Sequence, residues 1–159
     1  MGVGKGTLAR ALVKRSNYFA VDTDDLIESL ENKSVKKIFV QEGEEYFRKL
    51  ERKCALWCES NLKNTIISTG GGFYKQENIK KIGKIIYLES TFAKIIEALK
   101  NAPDSKKKFK KRPLLNNLEE AEKLFNQRVK DYKKVSDISV NVQSWDIEKI
   151  TTEILKAIK

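Results

Sequence analysis

MGVGKGTLARALVKR, residues 1–15, opens the chain, and the reading of this stretch decides the fold. A glycine-rich turn runs directly into an apolar-periodic segment, with Leu8, Ala9, Leu12 and Val13 on one face of a helix expected over 5–16. Glycines let backbone N–H groups turn toward an anion, and the N-terminus of the following helix adds partial positive charge. Gly2, Val3, Gly4, Lys5, Gly6 and Thr7 therefore make a candidate phosphate cradle, with Lys5 reaching the outer phosphates. The stretch departs twice from the pattern G-x-x-x-x-G-K-[ST]. Its first glycine would fall before Met1, and Lys5 is followed by Gly6, so the hydroxyl comes one place late at Thr7. A phosphate loop ordinarily follows a buried strand. This reading expects ~8–10 further residues upstream, from the usual length of strand plus loop, with Met1 an internal methionine or a boundary. A glycine-rich terminal tail is the plain alternative.

Downstream, strands alternate with helices. YFAVDTD (18–24) reads as a short strand ending in Asp22 and Asp24, followed by a helix at 25–32. Ser34 caps a second short helix closed by Gly43. A long amphipathic helix over 44–62 carries Phe47, Leu50, Cys54, Trp57 and Cys58 on its inner stripe. NTIISTGGG (64–72) is a strand running into a triple glycine, and 76–82 is weakly helical. A strand at 84–90, a helix at 91–100, an irregular basic stretch at 101–117 and a helix at 118–134 follow. A strand at 137–142 and a helix at 146–158, capped by Asp146, complete the chain. The strands near 64 and 84 are almost wholly apolar, the mark of a parallel sheet covered on both faces. The expected fold class is α/β, a three-layer sandwich with a parallel sheet. Ligands of such sheets bind at the carboxyl ends of the strands, where Gly2–Thr7, Asp22–Asp24 and Gly70–Gly72 would all lie.

Composition excludes several chemistries. The 159 residues suit one domain, and a hydrophobic fraction of 40% fits a soluble globular protein. No apolar run approaches the ~18 residues of a membrane span, and no signal-peptide pattern is visible, so the cytoplasm is the expected location. The chain has no histidine, which removes His-based acid–base catalysis, Ser-His triads and His-ligated metals together. Its two cysteines, Cys54 and Cys58, sit i,i+4 in a helical pattern and read as plain buried thiols. What remains is Asp, Glu, Lys, Arg, hydroxyls and backbone, a set sufficient for phosphoryl transfer, which depends on positioning and charge stabilisation. The net charge is +10, and residues 100–134 hold 12 Lys and Arg against 5 Asp and Glu. Nucleic acid, a small anion or simply a lysine-rich surface would each account for this. Only Phe109 interrupts the basic run, so aromatic stacking on bases has little to work with.

Four further segments carry chemistry. In DTDD (22–25), carboxylates at i and i+2 lie near one another at a sheet edge. One can hold Mg2+ through water while the other meets a substrate hydroxyl. Helix capping is the alternative, and Asp25 fits it best. Arg48 and Glu51 are placed i,i+3, where a surface ion pair is the ordinary outcome. Gly70, Gly71 and Gly72 allow close approach of a ligand to backbone. KKKFKKRP (106–113), with six basic residues in seven positions, suits a mobile lid over polyphosphate, or a solvated charged loop.

Taken in order, MGVGKGT, DTD (22–24), FRKLE (47–51), TGGG (69–72), KRPLL (111–115) and Arg128 in LFNQRVKDY resemble the shikimate kinase family, across nearly the whole chain. The resemblance implies a single P-loop kinase domain over 1–159, with a lid near 101–117 and a substrate-binding helical segment near 25–63. It implies ATP and Mg2+ as cofactors and transfer of the γ-phosphoryl group to the shikimate 3-hydroxyl in aromatic biosynthesis. Lys5 would contact the transferring phosphate, Asp22 would organise Mg2+ through water, and Asp24 would bind shikimate hydroxyls and accept the proton. Arg48 and Arg128 would clamp the shikimate carboxylate, Gly70–Gly72 would supply backbone contacts, and Arg112 would neutralise phosphate charge as the lid shuts. The expected partner is a small-molecule substrate, with no nucleic acid, no membrane and a monomeric chain. Gly6 stands where the family usually has a Ser or Thr ligand to Mg2+, although adenylate kinases also show GKGT. The rival readings are another kinase of the same fold, acting on gluconate or a nucleotide, and a non-catalytic P-loop remnant that binds nucleic acid.

Overall fold

The structure, a computed structural model, describes residues 2–110 and 112–158, apart from the side chain of Pro113. Met1 and Lys111, which belong to two of the motifs above, lie outside the described residues. The chain forms two compact units, Gly6–Lys84 and Met1–Lys5 with Ile85–Lys159.

In the Gly6–Lys84 unit, α1 (Lys5–Val13) buries Leu8, Ala9 and Leu12, the face its periodicity marks. β1 (Phe19–Asp22) pairs in parallel with β2 (Thr65–Ser68), in a register that sets Asp22 opposite Ser68. Between them run α2 (Thr23–Glu31) and α3 (Val35–Asn61). Ser34 caps α3 by accepting from the Lys37 N–H, and the helix breaks at Gly43, whose φ of 83° and ψ of 172° are non-helical. This is the short-helix, glycine, long-helix arrangement that the sequence predicts. Ile27, Ile38, Phe47, Leu50, Cys54, Ala55, Cys58 and Phe73 form the core of this unit. Trp57 does not join the buried stripe. It is 46% exposed at the stripe's edge, and Ala55 fills the inner position instead. Both cysteines are free and buried as expected, and the hydrogen bond with Cys58, followed by burial, pushes the Cys54 thiol up in pKa. The weak helix expected at 76–82 resolves into a 3-10 turn at Phe73–Lys75 and a single turn α4 (Ile79–Ile82).

In the other unit, β3 (Ile86–Glu89) and β4 (Ile138–Asn141) pair in parallel. α5 (Phe92–Lys100), capped by Thr91, buries Phe92, Ile95, Ile96 and Leu99. α7 (Leu118–Val135) packs Phe125 and Tyr132 on Phe92 and Tyr87, with ring centroids 5.6 and 5.5 Å apart. α8 (Ile147–Ala157) is capped by Asp146 and buries Ile150 and Ile154. The basic stretch at 101–117 is not irregular. It contains α6 (Ser105–Lys110) and a 3-10 turn at Pro113–Asn116. Lysine is a good helix former, and a run without an apolar face hides that from a periodicity reading.

The strands are thus parallel and separated by helices, as expected of an α/β chain. Among the described residues they form two pairs of two strands, so the strands are largely half-buried and Phe19 is 74% exposed. Among the described residues, no helix is long and apolar enough to cross a membrane.

Candidate active site

The carboxyl ends of β1 and β2 build one constellation within the Gly6–Lys84 unit. Asp22 ends β1 and caps α2, its Oδ1 accepting from the Asp24 N–H at 2.9 Å. Its Oδ2 accepts from the Ser68 hydroxyl at 2.7 Å, which ties the two strand ends together. Asp22, not Asp25, is therefore the helix cap; Asp25 is an exposed first-turn residue. Capping starts the helix one residue after the strand ends, so Thr23 and Asp24 fall in its first turn. Thr23 is fully buried, and its hydroxyl accepts from the Gly70 N–H at 3.1 Å.

The triple glycine is shaped by these side chains. Gly72 has a φ of −103° and Gly70 lies outside the left-handed region, so their need for glycine is not conformational. A Cβ on Gly70 would stand 2.7 Å from Asp24 Oδ1, and one on Gly72 would stand 2.6 Å from Arg48 Nη1. The backbone is left bare for the protein's own carboxylate and guanidinium. Phe73, fully buried, anchors the turn, and its N–H donates to the Gly70 carbonyl at 3.2 Å.

Arg48 is held from two sides. Its Nη1 donates to Glu51 Oε2 at 2.5 Å, and its Nε and Nη2 donate to Glu44 Oε1 at 3.1 and 2.7 Å. Glu51 is 1% exposed, so the pair is no ordinary surface ion pair. A buried carboxylate needs a fixed partner, and Arg48 supplies it. Burial works against the charge on Arg48, but its hydrogen bonds to Glu51 and Glu44 outweigh that and hold the guanidinium above its ordinary pKa. The result is a cation of fixed orientation beside a bare glycine backbone and the Asp24 carboxylate, suited to a small anionic, hydroxyl-bearing molecule.

The other unit holds Gly2–Lys5, Arg112 and Arg128. Gly2 and Gly4 have φ of 67° and 81°, values that favour glycine, and Val3 between them is buried. Lys5 opens α1. Gly6 and Thr7 follow in the first turn, Gly6 half-buried and Thr7 exposed. Arg112 is half-buried just beyond α6, where its Nη1 donates to the Lys108 carbonyl at 2.6 Å, and burial lowers its pKa. Arg128 lies on α7 near Tyr132, whose pKa is raised chiefly by burial while the Arg128 charge works in the other direction.

Sequence reasoning missed Thr23, Ser68 and Glu44. Thr23 sits inside the DTD motif and was within reach as its buried middle residue. Ser68 and Glu44 matter through strand register and a helix-surface pairing, which no motif displays.

A glycine-bearing turn at a helix N-terminus, with parallel strands whose carboxyl ends carry acidic and glycine-rich loops, defines a P-loop α/β protein. The comparisons with known proteins narrow the class. The family model for shikimate kinase matches residues 1–159. A shikimate kinase of Helicobacter hepaticus is 35% identical over 141 residues, covering 89% of this chain and 81% of that protein. One from a Sulfurihydrogenibium species is 36% identical over 164 aligned residues, covering 100% and 93%. Among solved structures, shikimate kinase from Acinetobacter baumannii in complex with shikimate superposes with a TM-score of 0.85 at 27% identity, covering 99% of this chain and 88% of that one. The Aquifex aeolicus enzyme gives 0.78 at 33% identity, covering 99% and 90%. The chain belongs to the shikimate kinase family and has its P-loop, nucleoside-monophosphate-kinase-like fold.

Proposed function

We propose that this protein phosphorylates the 3-hydroxyl of shikimate with ATP, giving shikimate 3-phosphate and ADP in aromatic amino acid biosynthesis. The observation that carries the reading is the interlocked set of Asp24, Arg48, Glu51 and Gly70–Gly72. It offers a fixed cation for a carboxylate and a carboxylate for hydroxyls on one glycine shelf. The likeness to a structure solved with shikimate supports the same choice.

The residues present fit ATP and Mg2+. Gly2 and Gly4 hold the positive φ that a phosphate cradle requires, and Lys5 stands at the N-terminus of the nine-residue α1. Asp22 gives both carboxylate oxygens to the protein, which leaves lone pairs for a metal-bound water rather than direct ligation. Among the described residues no cluster of three or more His, Cys, Asp or Glu would hold a metal, and Gly6 brings no hydroxyl. A donor set this sparse suits magnesium, which keeps several waters and leans on substrate phosphates. When bound, ATP supplies the phosphoryl group and Mg2+ offsets its charge.

The chain's own residues do the rest. Lys5 and Arg112 neutralise phosphate charge, Arg112 from a lid at 101–117 that excludes water. Arg48 and Arg128 hold the substrate carboxylate. Asp24 orients the acceptor hydroxyl and takes its proton, with the helical segment at 25–63 framing the substrate. Orientation of the acceptor accounts for most of the rate, since a loose transition state asks little of a base. A panel of shikimate, gluconate and AMP in a coupled ADP assay tests this. Turnover with shikimate at least about a hundredfold above the others is expected. Preference for gluconate or AMP would overturn the substrate assignment.

A further inference from the structure

Within the unit that contains Gly2–Lys5, three unusual features meet at Trp145. Its φ is 52°, in the left-handed region that non-glycine residues rarely adopt. Its ring is pressed against Gly4, where a Cβ would stand 2.3 Å from Cη2, 2.8 Å from Cζ3 and 3.2 Å from Cζ2. Its indole Nε1 is buried with no hydrogen-bond partner among the described residues. A left-handed non-glycine residue and an unpaired buried donor each cost stability, and such costs collect where a conformation is being held for use. The base under Trp145 is firm. Its N–H donates to the Val142 carbonyl at 3.2 Å, Val142 is fully buried, and Asp146 caps α8 by accepting from the Lys149 N–H at 3.0 Å. Gly2 is seated as tightly, since a Cβ there would meet Leu99 Cδ1 at 2.9 Å.

We infer that Trp145 is the positioning residue of the phosphate loop: its ring fixes Gly4 in the loop's binding conformation, and occupation of the loop by phosphate moves the ring in return. The inference rests on the ATP reading of the loop. A ring touching a glycine α-carbon leaves no slack, so a change in φ or ψ at Gly4 displaces the indole. The unpaired Nε1 offers no bond to hold the ring where it is.

The chain has two tryptophans, and Trp57 lies 46% exposed on α3, so Trp57→Phe leaves Trp145 as the only indole reporter. MgADP is titrated into this variant while emission is followed, and calorimetry measures MgADP binding to the same protein, to Trp145→Ala and to Trp145→Phe. The expected result is a saturable change in Trp145 emission. MgADP affinity falls about tenfold in Trp145→Ala and stays within about twofold in Trp145→Phe, which keeps a ring against Gly4. The KM for ATP rises in Trp145→Ala while kcat holds, as for lost ground-state positioning. Calorimetric binding with silent emission, or undiminished affinity in Trp145→Ala, overturns the inference and leaves the kinase reading intact. Absence of MgADP binding in every protein overturns both.

Discussion

Gly72 lacks a side chain because Arg48 occupies the space. The guanidinium cannot give way easily, since Glu51 and Glu44 hold it at 2.5 and 2.7 Å. If Arg48 binds the shikimate carboxylate as proposed, Gly72→Ala is expected to displace that cation by about an ångström and raise the KM for shikimate on the order of tens of fold. The KM for ATP should change less than about twofold in the same steady-state assay. An equal rise in both would show that Gly72 serves general folding. Gly6 presents the opposite situation. A Cβ there meets only Arg10 Nη1, at an ordinary 3.5 Å, so a serine side chain has room. If the metal is held through water and Asp22 as proposed, Gly6→Ser should leave the Mg2+ concentration for half-maximal activity within about twofold of the parent. A large fall would show that the missing hydroxyl is a real deficit. Arg48, Asp24 and the glycines were legible at this scale because motif spacing marks them. The reason for the glycines was not, since the crowding of Gly70 by Asp24 and of Gly72 by Arg48 arises only from the tertiary fold.

Gly43 is where local sequence alone determines an element. Its φ and ψ fall in a region reserved for glycine, and a Cβ there would meet nothing within 4 Å. Gly43→Ala should therefore destabilise by conformational strain alone, about 1–3 kcal/mol, seen as a lower midpoint in denaturant unfolding with unchanged slope. Stabilisation by about 1 kcal/mol, the usual helical gain of alanine over glycine, would mean that the break straightens freely. Capping by Ser34 and Asp146 was equally legible, because a cap uses neighbours three residues away. The cap at Asp22 was misplaced to Asp25, since acidic residues in a row satisfy the same rule and only the end of β1 chooses between them. α6 was missed for want of an apolar face, and Trp57 was misassigned because it falls at the edge of a helical stripe.

At the scale of the molecule, alternation of apolar strands with helices was enough to predict an α/β fold with parallel strands, and the family match bears out both. Pairing the strands two by two was not readable, because periodicity shows which residues are buried and not which strand lies beside which. The basic surplus of residues 100–134 is the main support for a nucleic-acid-binding alternative, and the interlocked Asp24, Arg48 and glycine shelf is the main argument against it. The most direct test is to incubate the purified protein with ATP, Mg2+ and shikimate and identify the product by phosphorus NMR. The account predicts a single phosphate monoester at the shikimate 3-hydroxyl, formed in step with ADP. ATP left unconsumed, or a phosphate on any other group, would contradict it.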